Sequence, residues 1–296
     1  SAERSYLALF LTGITYDRLG DYDQAVLTFQ RNLALSQAPE DQAQAYFWIG
    51  KALKAKNDPT AAERAWMQAY QADPTEYYGE RARQLIAGEP ILNPPTPYDL
   101  GYDLAAERPE AEAWMRTTFN LPANTDFSGP GELTGDANFQ RGNQFWQLSQ
   151  YTAARAEFET VRQRVSSDPV ATFRLMNHLL ELGMYRPAIL SARQILDLAF
   201  LDDAATLTAP KYFNHIRFGV YFRELVLPEA QAMNIHPFVL LSLIRQESAF
   251  EATIVSGSGA VGLMQLLPGT GTEMANSLGW PAGFSANDLY RPIVNV

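Results

Sequence analysis

The 296-residue sequence predicts an all-α protein built from paired helices. Three observations carry that expectation. Gly13, Gly20, Ala25 and Phe29 recur as Gly50, Asn57, Ala62 and Trp66 at a constant offset of 37 residues, a period at which helix–turn–helix units stack into solenoids. The segments LGDYDQA (19–25) and KNDPTAA (56–62) place Gly, Asn, Asp and Pro between apolar-periodic stretches, as turns between helices require. Beyond residue 210, ELVLPEAQAMNIHPFVLLSLIRQES reads as two further helices, the second opening at Pro237, whose fixed φ suits a first helical turn.

In each unit a small residue lets two helices cross closely and a large aromatic fills the groove. A third copy runs through Gly142, Ser149, Ala154 and Phe158, and a weaker fourth through Met176, Gly183, Ala188 and Ala192, all with internal spacings of 7, 12 and 16. The pattern resembles degenerate tetratricopeptide-like repeats, which implies a helical superhelix. Between the second and third copies lies a proline-rich insert, about 88–136, holding Pro90, Pro94, Pro95, Pro97, Pro109, Pro122 and Pro130. An interior proline costs a helix about 3 kcal/mol, so the insert is expected to be mostly loop and short helix, a connection rather than a lid over a groove. Periodicity lapses again at LDDAATLTAPKY (201–212). The predicted organisation is therefore a helical-repeat domain over 1–210 and a second domain over 211–296.

Composition narrows the function. Lys and Arg number 23 against 33 Asp and Glu, a net charge of −10 with no basic cluster, which argues against nucleic acid as a partner. The absence of cysteine rules out disulfides, thiolate nucleophiles and cysteine-held metal centres. His178, His215 and His236 are too scattered for a helical zinc motif, so structural roles are expected for all three. No cofactor or metal is implied by any residue cluster. No run reaches the ~18–20 apolar residues of a membrane span, and the first residues lack the basic and apolar regions of a signal peptide.

The chemistry concentrates in LIRQESAFEATIVSGSGAVGLMQ (243–265). On a helix from Pro237, Glu247 lies 7, 4 and 3 residues beyond Leu240, Leu243 and Ile244, on the same apolar stripe, whereas Arg245, Gln246 and Ser248 are expected elsewhere. Burial raises a carboxyl pKa and would prepare Glu247 as a general acid. A helix frayed at its end would instead leave it solvated, and the pattern alone does not choose. Gly257, Gly259 and Gly262 spell G-x-G-x-x-G, but no strand precedes them and no βαβ unit surrounds them, so a dinucleotide site is not expected. The glycines suit a loop that folds back near the glutamate and admits a bulky ligand.

Glu247-Ser248-Ala249-Phe250, then Ser256-x-x-Gly259-Ala260-x-Gly262-Leu263-Met264-Gln265, then Pro268 and Thr270, closely resemble the catalytic signature of the soluble lytic transglycosylases. DPTEYYGERA (73–82) resembles a stretch of the same family's superhelical domain. The resemblance implies a lysozyme-like domain that cleaves the β-1,4 bond between N-acetylmuramic acid and N-acetylglucosamine. Glu247 would be the single acid/base, protonating the glycosidic oxygen and then taking the proton of the muramoyl 6-hydroxyl as a 1,6-anhydro ring closes. Ser256 would contact acetyl or peptide-bearing groups, Gln265 would line the saccharide cleft, and Met264 would either line it or pack in the core. Leu267 stands where a second methionine is common. Glu251, Glu273 and Asp288 are expected at the surface rather than as a second catalytic carboxylate. DLYRPIVNV (288–296) resembles the opening of the next helix of the domain, and a tyrosine motif that the family places further on does not follow. The chain is therefore expected to hold the N-terminal half of the catalytic domain and to have little or no activity by itself. The implied partners are peptidoglycan glycan strands and, through the repeats, other cell-wall proteins, in the periplasm or cell envelope. The alternatives are a goose-type hydrolytic muramidase, with water as nucleophile, and a non-catalytic helical-repeat binding module.

Overall fold

A computed structural model describes residues 2–90 and 98–296, and the packing divides into two compact units between Tyr98 and Asp99. Among the described residues all regular elements are helices, with isolated antiparallel bridges but no named strand, in accord with the all-α expectation.

The first unit contains α1 (Ala2–Leu19), α2 (Tyr22–Leu35), α3 (Pro39–Ala55), α4 (Pro59–Ala72) and α5 (Tyr77–Ala87), each packed on its neighbours in sequence. Asp21 and Asp58 cap α2 and α4 by accepting from Gln24 N and Ala61 N, and Pro59 occupies the first turn of α4. Asp73, almost fully buried, accepts from Thr75 N at 3.0 Å, Thr75 Oγ1 at 2.7 Å and Glu76 N at 3.3 Å, so that DPTEYYGERA is the turn and first half of α5. A Cβ at Gly79 would lie 1.7 Å from the Asp73 carbonyl oxygen, which leaves no alternative to glycine there.

The second unit begins with α6 (Leu104–Thr118), capped by Asp103 and running through Pro109. The insert, expected to be mostly loop and short helix, holds a longer helix than that, at 15 residues. Pro109 sits in its second turn, and Ala111 and Met115 beyond it are fully buried against Phe173, Phe213 and Ile216. That burial offsets the local proline penalty. Residues 119–130 are loop and turn, while Pro94, Pro95 and Pro97 lie outside the described residues.

The repeats resume as α7 (Ala137–Gln147), α8 (Tyr151–Arg164), α9 (Pro169–Glu181) and α10 (Tyr185–Leu198). Their spacing has a physical basis common to both units. Gly20, Asn57, Ser149 and Gly183 all have positive φ, between 58° and 78°, and each reverses the chain between the helices of a pair. Ala25, Ala62, Ala154 and Ala188 are fully buried. A Cβ at Gly13, Gly50 or Gly142 would meet the ring of Phe29, Trp66 or Phe158 at 2.5, 2.3 and 2.9 Å. In the fourth copy the sizes are exchanged, with Met176 paired to Ala192 in one core.

Next come a 3₁₀ turn (Ala205–Thr208), α11 (Lys211–Arg217), α12 (Arg223–Ala232) and α13 (Pro237–Ser248). They are followed by α14 (Pro268–Leu278), a 3₁₀ turn (Ala286–Tyr290) and α15 (Pro292–Asn295). Tyr212, Phe213 and Ile216 of α11 share a core with Phe173, Ile195 and Leu196 of the preceding repeats, so packing is continuous across residue 210. The three histidines have structural partners. His178 Nε2 meets Asn143 Oδ1 at 2.8 Å between the Phe139 and Phe158 rings, and His215 Nδ1 meets the Glu107 carboxylate at 2.8 Å while stacking on Tyr102. His236 caps α13 by accepting from Phe238 N.

Candidate active site

Helix α13 starts cleanly because His236 caps it and Pro237 fills its first turn. Pro237, Leu241, Ile244 and Ser248 are its buried positions. At about 100° per residue, Glu247 lies roughly a quarter-turn from the centre of that stripe. Glu247 is exposed, as is Leu243, and among the described residues no hydrogen bond or ion pair engages the Glu247 carboxylate. Of the two readings that the pattern left open, Glu247 is the solvated one, to the side of the buried stripe. The helix is not frayed, since it continues through Ser248, whose hydroxyl donates to the Ile244 carbonyl at 3.0 Å. The apolar face passes through Ser248 instead, because a short hydroxyl can return to the backbone and be buried without an unpaired group. Arg245, on the other flank, donates to the Arg217 carbonyl and lies 4.4 Å from the Phe218 ring.

After α13 the backbone turns sharply through two non-glycine residues of positive φ, Ala249 (50°) and Phe250 (63°). Left-handed backbone is costly for a residue such as phenylalanine. Phe250 is 3% exposed and packs with Ile244, Tyr221 and Leu263, which holds it there. The loop then folds on itself. Val261 pairs with both Val255 and Leu266 in isolated antiparallel bridges, and Ser256 N donates to Ala260 O at 2.9 Å. Gly259 (83°), Gly262 (80°) and Gln265 (50°) supply the positive φ angles of its turns.

Asn295, which sequence reasoning passed over, fastens this loop. Its Nδ2 donates to the carbonyls of Val261 at 2.9 Å and Leu289 at 2.8 Å, and its Oδ1 accepts from Met264 N at 2.6 Å. A Cβ on Gly262 would come within 2.4 Å of that amide. Gly262 is therefore needed both for its backbone angle and for the approach of Asn295, whereas a Cβ on Gly257 would meet nothing within 4 Å. No motif marks an asparagine thirty residues away as a loop fastener, so only the fold could reveal it.

Ser256, Met264 and Gln265 are brought together in this braced loop. The Ser256 hydroxyl accepts from Ala260 N at 3.0 Å and shares a hydrogen bond with Ser258 Oγ at 2.9 Å. Gln265 Nε2 donates to Gly262 O at 2.9 Å and reaches Ile254 O at 3.4 Å. Met264 is half-buried and packs against the cluster that contains Ile244, one turn before Glu247. The helix end and the loop thus share a core, although no hydrogen bond joins Glu247 to the other three among the described residues. Leu267 is exposed at the start of α14.

The other carboxylates differ from one another. Glu273 is exposed. Asp288 closes a capping box with Ser285 and pairs with Arg291 at 3.1 Å, and the Ser285 backbone N–H holds its carboxyl below the usual range. Glu251 is not a surface residue as expected. Its side chain is only 10% exposed, held 3.2 Å from Arg155 of α8 and 3.7 Å from Arg186 of α10. Burial pushes its pKa up despite the two arginines, whose side chains are 40% exposed and therefore screened by water.

The architecture and the loop define a helical-repeat protein that continues into a lysozyme-like α-helical segment. Comparison with known proteins agrees at each end of the chain. The family described as the transglycosylase SLT domain matches residues 224–296, and tetratricopeptide repeat families match 7–31 and 43–76. The soluble lytic murein transglycosylase of Escherichia coli K12 is 31% identical over 90 residues, 30% of this chain and 14% of that protein. The endo-type membrane-bound lytic murein transglycosylase A of Klebsiella pneumoniae is 38% identical over 66 residues, 22% of this chain and 32% of that protein. The 70 kDa soluble lytic transglycosylase of Escherichia coli has the same fold, with a TM-score of 0.59 at 20% identity over 92% of this chain and 37% of that one. A complex of the 70 kDa enzyme with bulgecin A gives 0.63 at 20% identity, covering all of this chain and 39% of that one. The chain is therefore similar to lytic transglycosylases by sequence over residues 224–296 and by fold over most of its length. It spans well under half the length of these relatives.

Proposed function

We propose that this chain belongs to a peptidoglycan lytic transglycosylase in which Glu247 is the single acid/base. The observation that carries the reading is an unpaired, exposed carboxylate at the end of a capped helix, beside a loop whose strained turns are fixed by Phe250, Gly262 and Asn295. A general acid must be reachable by its substrate, and Glu247 is reachable. A glycan strand laid over it would displace water, and removing water from a carboxyl favours its neutral form.

The reaction then runs in two steps on one carboxyl group. Glu247 gives its proton to the glycosidic oxygen as the C1–O bond breaks and C1 acquires oxocarbenium character. The muramoyl 6-hydroxyl attacks C1, and its proton returns to Glu247. No water is consumed, and the enzyme ends as it began. Ser256 and Gln265 face the sugar's acetamido and hydroxyl groups, with Met264 supplying apolar contact. The helical-repeat domain over 1–210 and the lysozyme-like segment over 211–296 form the division of labour in this reading, with the repeats engaging glycan or other cell-wall proteins. The site of action is the periplasm or cell envelope. Among the described residues no helix is long and apolar enough to cross a membrane.

The test is digestion of purified sacculi by the protein carrying this chain, followed by mass spectrometry. Muropeptides ending in 1,6-anhydromuramic acid support the proposal. Products heavier by one water would identify a hydrolytic muramidase instead, and intact sacculi a binding module.

A further inference from the structure

We propose that the groove between α3, α4 and α5 is a docking site for an extended, acidic protein segment. This groove, of about 620 Å³, is lined by Trp48, Lys51, Lys54, Tyr77, Tyr78 and Arg81 among others. Its volume falls in the range of built ligand sites. Its charge runs against the rest of the molecule. The chain carries a net −10 and has only four lysines, two of which line this groove. No Asp or Glu is among the lining residues, and among the described residues none of the three cations has a carboxylate within ion-pair distance. Lys56, on the residue just after α3, shows the contrast, since it is paired with Asp23.

Aromatic faces complete the site. The Lys51 ammonium stands 3.9 Å above the Trp48 ring and that of Lys54 5.5 Å from the Trp66 ring, which anchors both cations at the groove without neutralising them. Tyr77 is 66% exposed and meets Tyr78 edge-on at 5.1 Å. Arg81 uses one N–H on Gln84 Oε1 at 2.6 Å, and its charge stays uncompensated. A ligand satisfying such a surface brings several carboxylates interleaved with large apolar side chains. An acidic peptide does so, whereas a neutral saccharide would use the rings and leave three cations unanswered. The inference gives the repeats' protein-binding role a place and a chemistry, and it does not depend on Glu247.

The experiment is fluorescence anisotropy of a labelled short peptide alternating glutamate with phenylalanine and leucine, titrated with the full chain. Saturable binding is expected, weakening with salt. It should fall about tenfold or more in Lys51→Glu/Lys54→Glu and about threefold or more in Tyr77→Ala. The same peptide with lysine for glutamate should not bind. Because Lys54 and Tyr77 are exposed, Lys54→Glu and Tyr77→Ala singly carry the test should the double variant lose helical circular dichroism. Absence of saturable binding, equal binding by the lysine peptide, unchanged affinity in the variants, or displacement by a neutral chitotetraose would each overturn the proposal.

Discussion

At Gly50 a single added carbon would sit 2.3 Å from the indole nitrogen of Trp66, which is itself buried and donates to the Phe47 carbonyl at 3.2 Å. Alanine ordinarily gains about 0.5–1 kcal/mol over glycine within a helix, but overpacking costs about 1–3 kcal/mol. Overpacking wins at this distance, so Gly50→Ala should lower stability by roughly 1–2 kcal/mol in urea unfolding. A second residue-scale prediction concerns Asn295, whose amide serves three backbone groups at once. Asn295→Ala strands buried donors and acceptors that cost about 1–3 kcal/mol each. Amide exchange at Met264 should accelerate markedly, and unchanged exchange would refute the role assigned to Asn295. The two residues differ in legibility. Gly50 was readable because its aromatic partner recurs at a fixed spacing, whereas the contacts of Asn295 are set by tertiary folding alone.

Between helices, the half-exposed Arg155 and Arg186 around the buried Glu251 carboxylate tie the turn after α13 to α8 and α10. The raised pKa of Glu251 fixes the sign of its pH effect. A carboxyl that binds its proton more tightly folded than unfolded contributes stability that is fully present below the unfolded pKa and is lost as pH rises through the folded one. Wild type should therefore gain stability relative to Glu251→Gln as pH falls from neutrality toward 4.5, the ordinary value for the group. Urea midpoints of both proteins across that range measure it, and a tilt the other way would contradict the assignment. Sequence reading placed Glu251 at the surface because its partners are about a hundred residues away in one case and sixty-five in the other. It also underestimated the length of α6, since a local proline rule cannot see Ala111 and Met115 being buried by distant helices. The turns of the repeats were legible for the opposite reason: their positive φ angles are local demands that Gly, Asn and Ser meet at low cost.

Across the molecule, the repeated small and aromatic positions account for the helical pairs in both compact units, and the loop signature accounts for the braced segment after α13. One compact unit ends at Tyr98, inside the proline-rich insert, and α11 shares a core with the repeats that precede it. Periodicity misplaces Glu247 on its helix. Its helix buries Ser248 in place of a further apolar residue, and a stripe counted from leucines alone is displaced toward the solvent side. The measurement that tests the central claim most directly is the rate of anhydromuropeptide release from purified sacculi by wild-type and Glu247→Gln protein. The account predicts a loss of about 10²–10⁴-fold in the variant, the usual contribution of a general acid/base, with thermal stability retained because the exposed side chain packs against nothing it would leave empty. Release at the wild-type rate by Glu247→Gln would contradict it.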